Sequence, residues 1–388
     1  MDKINELLTR GVANIIPSKE ELEKKLRSGK KLNVYLGFDP TATKIHLGHA
    51  VTLRKIQQFA DLGHNVIFLI GDFTALIGDT SDKDAERPSL SKEEIEENFK
   101  TYKNQASKIL DFSKIKVRHN SEWLSKLTFE NIIKLTQKFS LGDFIGRELI
   151  KKRLTEGKRV GLHEALYPIM QGYDSYFMDT DVQVGGTDQT FNMQAGRTLQ
   201  KNWREKESYV LSTPILEGPD GRKMSKSWSN AIWLEDNPSD MYAKIMAIND
   251  DLIIQYYTLA TSVSFAEIKE LGKEVKKNPM NAKKKLAFEI VRELHGKEEA
   301  EKGKENFEKV VQNKELPQDI LEISINDNVT ASDVITITKF AGSKSEAKRL
   351  IEQGGVKIDG KLVKDPDLIV PAGLLQVGKK RFAKIIIK

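Results

Sequence analysis

In this chain of 388 residues, His46 and His49 stand at i, i+3 in His46-Leu47-Gly48-His49, between a strand-like run and an apolar helix. That spacing puts both imidazoles on the first helical turn, where free backbone N–H groups already favour a polyphosphate. Lys223 and Lys226, in Lys223-Met224-Ser225-Lys226-Ser227, add two ammonium groups on a Gly-rich loop 174 residues beyond His49. Thr41 contributes a hydroxyl in the turn before the histidines. The set holds no obvious nucleophile. It supplies donors and cations, which suits phosphoryl-type chemistry, where positioning and electrostatics do most of the catalysis. Gly48 leaves space for a base or sugar to approach the backbone.

These residues need elements to hold them. Lys31–Phe38 reads as a strand ending at Asp39-Pro40-Thr41, a helix follows from about Leu47 to Leu62, and Asn65–Ile70 is a continuous apolar run of the kind buried on both faces of a sheet. Strand, helix and strand form a βαβ unit and predict a parallel α/β sheet of Rossmann-like type. Residues 1–30 are helical in spacing, with Ser18 and Glu21 as a capping-box pair. Further helices are expected over Ser89–Asp111, Phe129–Lys158 and Phe191–Gln200, with short strands at 117–120 and Val182–Val184. Pro238–Gly296 has the periodicity of an all-α segment.

The histidine and lysine peptides, in this order and with Gly37-Phe38-Asp39-Pro40-Thr41 upstream, resemble the nucleotide-binding signatures of class I aminoacyl-tRNA synthetases. The resemblance implies ATP bound by Gly37, Asp39, Gly48, Gly186, Asp188 and Lys226, with Thr41, His46, His49, Lys223 and Lys226 around its phosphates. It also implies Mg²⁺ arriving with ATP.

Between the two signatures the chain is similar to the bacterial tyrosyl-tRNA synthetases. In that family a strand tyrosine and a helix aspartate hydrogen-bond the substrate phenol, and Tyr35 and Asp174 match those positions. A phenol and a buried carboxylate together offer a donor and an acceptor to a hydroxyl. Tyr167, Gln171 and Asp174 lie at i, i+4, i+7 and share one helical face, although Pro168 between them suits the first turn of a helix. The resemblance assigns Tyr167, Gln171 and Asp79 to the substrate ammonium, Gln189 to the activated carboxyl and Asp188 to the ribose hydroxyls. One residue departs from the family pattern. Leu36 stands where many relatives carry a small polar group, which removes a side-chain hydrogen bond to ribose. A tryptophan-specific relative would share the fold and both signatures, and Tyr35 with Asp174 argues against it. No large inserted domain is visible, so editing is not expected.

From Val329 to Lys388 there are 12 Lys and Arg against 6 Asp and Glu, so this tail carries the whole net charge of +6. A compact basic segment beside a neutral enzyme points to a polyanionic partner. Ala341–Gly360 reads as a capped helix, a Gly stop and a strand ending in an Asp-Gly turn, and resembles the small RNA-binding fold of a ribosomal small-subunit protein. The resemblance places Lys344, Lys348, Arg349 and Lys357 against tRNA phosphates.

The expected organisation is a Rossmann-like catalytic domain over 1–228 with a helical dimerisation insertion near 125–165, an α-helical domain over 229–320, a linker over 321–328 and an α+β RNA-binding domain over 329–388. A homodimer is implied by the family alone. The absence of cysteine and of any HExxH spacing predicts no structural metal. Neither a signal peptide nor an apolar run of ~18 residues is present, so a cytoplasmic protein without a membrane span is expected.

Overall fold

In the computed structural model, residues 2–40, 43–78, 91–309, 320–378 and 381–388 are described, and they divide into two units, one running through Lys297 and one from Glu298. Thr41 and Asp79 lie outside the described residues.

The first unit is built on a sheet of strands β1 (Asn14–Ile16), β2 (Asn33–Phe38), β3 (Asn65–Ile70), β4 (Ile115–His119), β5 (Val182–Gly186) and β6 (Tyr209–Thr213), in the order β1-β6-β5-β2-β3-β4. Five of these run parallel, while β1 pairs antiparallel with β6 at the edge, so the sheet is mixed where a purely parallel one was expected. Every residue of β6 is buried, as are Val34, Tyr35 and Leu36 of β2, because helices cover both faces. Chain order reverses between β2 and β5. That switch opens a crevice at the carboxyl ends of the central strands, where open α/β sheets bind ligands.

Helix Leu47–Asp61 follows β2 and buries Leu47, Ala50, Val51, Leu53, Ile56 and Phe59. Helix Leu162–Phe177 carries Pro168 in its interior, so it begins well before that proline, and Tyr167, Gln171 and Asp174 all lie on regular helix. Its start is set by Glu164, whose carboxylate accepts from Gly161 N–H at 2.8 Å and pairs with fully buried Arg153 at 2.6 Å.

The segment expected as a separate α-helical domain over 229–320 is instead divided at Lys297, and its helices Pro238–Met246, Ile253–Ala260, Phe265–Lys277 and Pro279–His295 belong to the sheet unit. Buried side chains explain the attachment. The Arg10 guanidinium donates to the carbonyls of Tyr257, Thr258, Thr261 and Val263, which satisfies the open end of Ile253–Ala260. Lys55 is 3% exposed, its Nζ donates to Leu7 O, Arg10 O and Gln58 Oε1, and burial pulls its pKa down to about 7. Arg54 pairs with Glu293 at 2.7 Å.

The second unit holds strands β7 (Leu321–Ile325), β8 (Val356–Ile358), β9 (Lys361–Leu362), β10 (Gly373–Val377) and β11 (Arg381–Ile387), in the order β7-β11-β10-β8-β9, with helices Ala331–Ile337 and Lys344–Glu352. Residues 321–328 are therefore not simply a linker. β7 pairs in parallel with β11 from Leu321↔Ala383 to Ile325↔Ile387, and Ile325 is buried in the unit's core. The predicted helix, stop and turn are present, with Ser343 accepting from Glu346 N–H, Gly354 at φ +71° and Asp359-Gly360 both at positive φ between β8 and β9.

Candidate active site

A cleft of about 690 Å³ lies at the carboxyl ends of β2, β3 and β5. It brings together Tyr35, Gly37, Asp39, His46, Gly48, His49, Tyr167, Gln171, Asp174, Gly186, Asp188, Gln189, Lys223 and Lys226. Every expected catalytic, substrate or nucleotide residue that is described thus lines one cavity. Leu36 also lines it, and its side chain is buried.

The histidines stack. Their rings lie 3.7 Å apart at 17°, and His49 Nδ1 accepts from the His46 backbone N–H at 3.3 Å. His46 is the helix N-cap, its Nδ1 is buried with no hydrogen-bond partner among the described residues, and burial with the nearby His49 and Lys223 holds its pKa well below the usual range. A Cβ on Gly48 would sit 3.0 Å from the His46 ring, so this glycine makes room for the histidine itself. Opposite them, Lys223 Nζ is 3.1 Å from Asp188 Oδ2, which joins one phosphate-side cation to the residue assigned to ribose. Lys226 is exposed at the head of its loop.

At the deep end, Asp174 is 3% exposed and accepts from Trp123 Nε1 at 2.7 Å and from Asn120 Nδ2 at 3.1 Å. Burial pushes its pKa up to about 8 against those two hydrogen bonds, with the charges of Asp39 and Asp72 adding to the rise. Tyr35 OH donates to Gln183 Oε1 at 3.2 Å, and burial with the charge of Asp174 raises the phenol well above its usual value. Gln183 is fixed in turn by its Nε2 bond to Met193 O at 2.9 Å, and Gly196 lies so close that a Cβ there would be 2.5 Å from Gln183 Oε1.

Between the two ends runs a polar chain. Tyr167 OH donates to Asp39 Oδ2 at 2.8 Å, Thr74 Oγ1 donates to Asp39 Oδ1 at 2.8 Å, and Asn120 Nδ2 donates to Thr74 Oγ1 at 3.0 Å. Gly71 admits this arrangement, because a Cβ there would lie 2.0 Å from Asp39 Oδ1. Thr74, Asn120, Trp123 and Gln183 escaped the sequence reading. The signal for Asn120 and Thr74 was their place just beyond the carboxyl ends of β4 and β3, where side chains of a parallel sheet reach its ligand crevice.

In the second unit Lys344, Arg349 and Lys357 are exposed and Lys348 is half-buried. Lys344 pairs with Asp333 at 2.7 Å and Lys348 lies 3.7 Å from Asp367, so two of the four basic groups already face carboxylates.

A mixed α/β sheet with a nucleotide-type crevice, a histidine pair and a lysine loop matches the family described as tRNA synthetases class I (W and Y), whose model covers residues 27–312. A second family, the S4 domain, covers residues 332–375. The tyrosine–tRNA ligase of Thermotoga maritima is 44% identical over 98% of this chain and 96% of its own length, and that of Carboxydothermus hydrogenoformans is 45% identical over 98% and 97%. Among solved structures, a C-terminally truncated mitochondrial tyrosyl-tRNA synthetase of Coccidioides posadasii is 26% identical with a TM-score of 0.64, covering 79% of this chain and 91% of that one. The chain belongs to the class I tRNA synthetases and, within them, to the bacterial tyrosyl-tRNA synthetases.

Proposed function

We propose that the cleft activates L-tyrosine with ATP, giving tyrosyl-adenylate and pyrophosphate, and that the tyrosyl group then passes to the 3′ end of tRNA(Tyr). The observation that carries this reading is the pairing, in one cavity, of a buried phenol and carboxylate at the deep end with two histidines and two lysines at the mouth. Tyr35 and Asp174 bond the substrate hydroxyl, while Tyr167, Gln171 and Asp79 hold the ammonium. Gln189 orients the carboxylate for attack on the α-phosphorus. His46 and His49 donate to the phosphates at a helix N-terminus, and Lys223 and Lys226 neutralise charge that builds on the departing pyrophosphate. Asp188 exchanges its Lys223 partner for ribose hydroxyls as ATP enters, Gly37, Asp39, Gly48 and Gly186 shape the nucleotide bed, and Thr41 contributes its hydroxyl to the phosphates. No step needs a covalent enzyme intermediate.

Mg²⁺ enters with ATP as the metal of its phosphates. Among the described residues no group of three or more His, Asp or Glu side chains is placed to hold a metal. Lys344, Lys348, Arg349 and Lys357 meet the RNA backbone. Phe129, Ile133, Leu141, Ile145, Leu154 and Leu162, all exposed apolar side chains between 125 and 165, support a homodimer through that segment. The composition, and the lack among the described residues of a helix long and apolar enough to cross a membrane, support work in the cytoplasm. Charging of tRNA(Tyr) with labelled tyrosine in the presence of Mg-ATP tests the reading. Esterified tyrosine is expected, and charging with tryptophan in its place would overturn it.

A further inference from the structure

Asn230 closes the lysine loop into a ring. Its side chain is 8% exposed and lies outside the cleft lining. Asn230 Oδ1 accepts from Ser225 N–H at 2.8 Å, while Nδ2 donates to Asp220 Oδ1 at 2.7 Å and to the carbonyls of Lys223 at 3.1 Å and Arg222 at 3.4 Å. One amide therefore ties the chain entering the loop to the chain leaving it. Asparagine suits the place because it alone presents an acceptor and two donors on so short a stem.

The ring rests on a tight turn. Gly218 N–H donates to Arg222 O at 2.7 Å, Met224 N–H to Leu216 O at 3.2 Å, and Gly221 takes φ +75° between them. A Cβ on Gly218 would come within 2.7 Å of Asn230 Nδ2, so turn and amide are packed face to face. Tyr256 OH moors the base of the turn by donating to Glu217 O at 2.6 Å. The Asn230 hydrogen bond is the largest influence holding the Asp220 carboxyl down to about 2, and hydrogen bonds and charge from Arg222 act in the same direction.

Lys223 and Lys226 leave this ring on flexible four-carbon stems, so where each ammonium can reach is decided by the backbone that carries it. We propose that Asn230 is a positioning residue for adenylate formation, holding the loop backbone so that Lys223 and Lys226 meet the phosphates, and that it acts only through those two lysines. The inference rests on the reading of the cleft as the site of tyrosine activation.

Single-turnover formation of tyrosyl-adenylate by the full chain tests it, with Asn230→Ala placed both in the natural chain and in a Lys223→Ala/Lys226→Ala background. In the natural chain the rate should fall ~10- to 100-fold, the scale of a reacting group displaced by about 1 Å. The tyrosine dissociation constant should stay within about twofold, and in the lysine-free background Asn230→Ala should cost nothing further. The same loss in both backgrounds would mean that Asn230 supports the fold rather than the lysines, and no loss in the natural chain would equally overturn the proposal. Should Asn230→Ala fail to bind tyrosine, Asp220→Ala removes one anchor of the ring and should slow the reaction ~5-fold, again only while the lysines are present. An equal loss from Asp220→Ala without them would contradict the proposal. Adenylate formation by the unaltered chain reports on the proposed function itself, whereas the ratio between backgrounds reports on Asn230 alone.

Discussion

The indole N–H of Trp123 donates to Oδ1 of Asp174 at 2.7 Å, and the ring that makes this bond is stacked on Phe177 with centroids 4.7 Å apart. The carboxylate proposed to read the substrate phenol is thus aimed by a side chain that is itself locked by packing. Asn120 holds the other oxygen and continues through Thr74 and Asp39 to Tyr167. Asp174 at the deep end of the cleft and Tyr167 nearer its mouth share one hydrogen-bonded framework, so a buried polar site is held rigid by its own hydrogen bonds.

Replacing Asp174 by Ala removes the phenol acceptor and strands the donors of Trp123 and Asn120. Tyrosine should bind ~30-fold or more weakly, the cost of losing a buried hydrogen-bond partner and leaving buried donors unsatisfied, while ATP affinity stays near that of the natural chain. Equilibrium dialysis with each ligand separates the two effects, and undiminished tyrosine affinity would remove Asp174 from the pocket's recognition role.

The raised pKa of Asp174 makes stability depend on pH in a defined direction. The unfolded carboxyl titrates near 3.8 and the folded one at about 8, so between those values the folded chain holds a proton that the unfolded chain releases. The contribution is complete below about 4 and is lost as pH rises through 8. Urea midpoints for the natural chain, measured against Asp174→Asn, should decline from pH 5 to pH 8, and a constant difference would contradict the shift.

Leu162 is 78% exposed at the start of the helix that carries Tyr167, Gln171 and Asp174. If this apolar surface joins two copies, Leu162→Asp should place a charge in the interface and weaken association ~100-fold, the cost of losing one buried leucine contact and desolvating a carboxylate. Sedimentation velocity should then give a monomer where the natural chain gives a dimer.

Ending the chain at Ile320 removes β7 together with the strands it pairs with, whereas a cut at residue 329 would leave β7 without β11. The shorter chain should keep tyrosine-dependent adenylate formation and lose about tenfold or more in tRNA charging at physiological salt, with the deficit shrinking as salt is raised because salt weakens the tail's phosphate contacts in the full chain. Charging assays at 50 and 200 mM salt measure this, and equal charging by both chains would assign the tail another role.

How much of this was legible in the sequence follows from the range of the forces involved. The βαβ unit, the histidine pair at the start of its helix and the tail's capped helix with its Asp-Gly turn were readable because periodicity and turn chemistry are local. β1 escaped because three residues carry little pattern, and β7 because a short, mostly exposed edge strand after a charged segment reads as linker until β11 is beside it. The helices after Pro238 were recognisable, but their attachment depends on Arg10 meeting carbonyls, and Arg54 meeting Glu293, far away in the chain. Asn120 and Trp123 were hidden for the same reason, since their value lies in reaching Asp174 across 54 and 51 positions.

The most direct test of the central claim is exchange of labelled pyrophosphate into ATP by the purified chain, supplied in turn with tyrosine, phenylalanine and tryptophan. Exchange that requires tyrosine and is absent with the other two is the predicted result, because only a phenol satisfies Tyr35 and Asp174 together. Exchange sustained by tryptophan or phenylalanine, or by no amino acid at all, would contradict it.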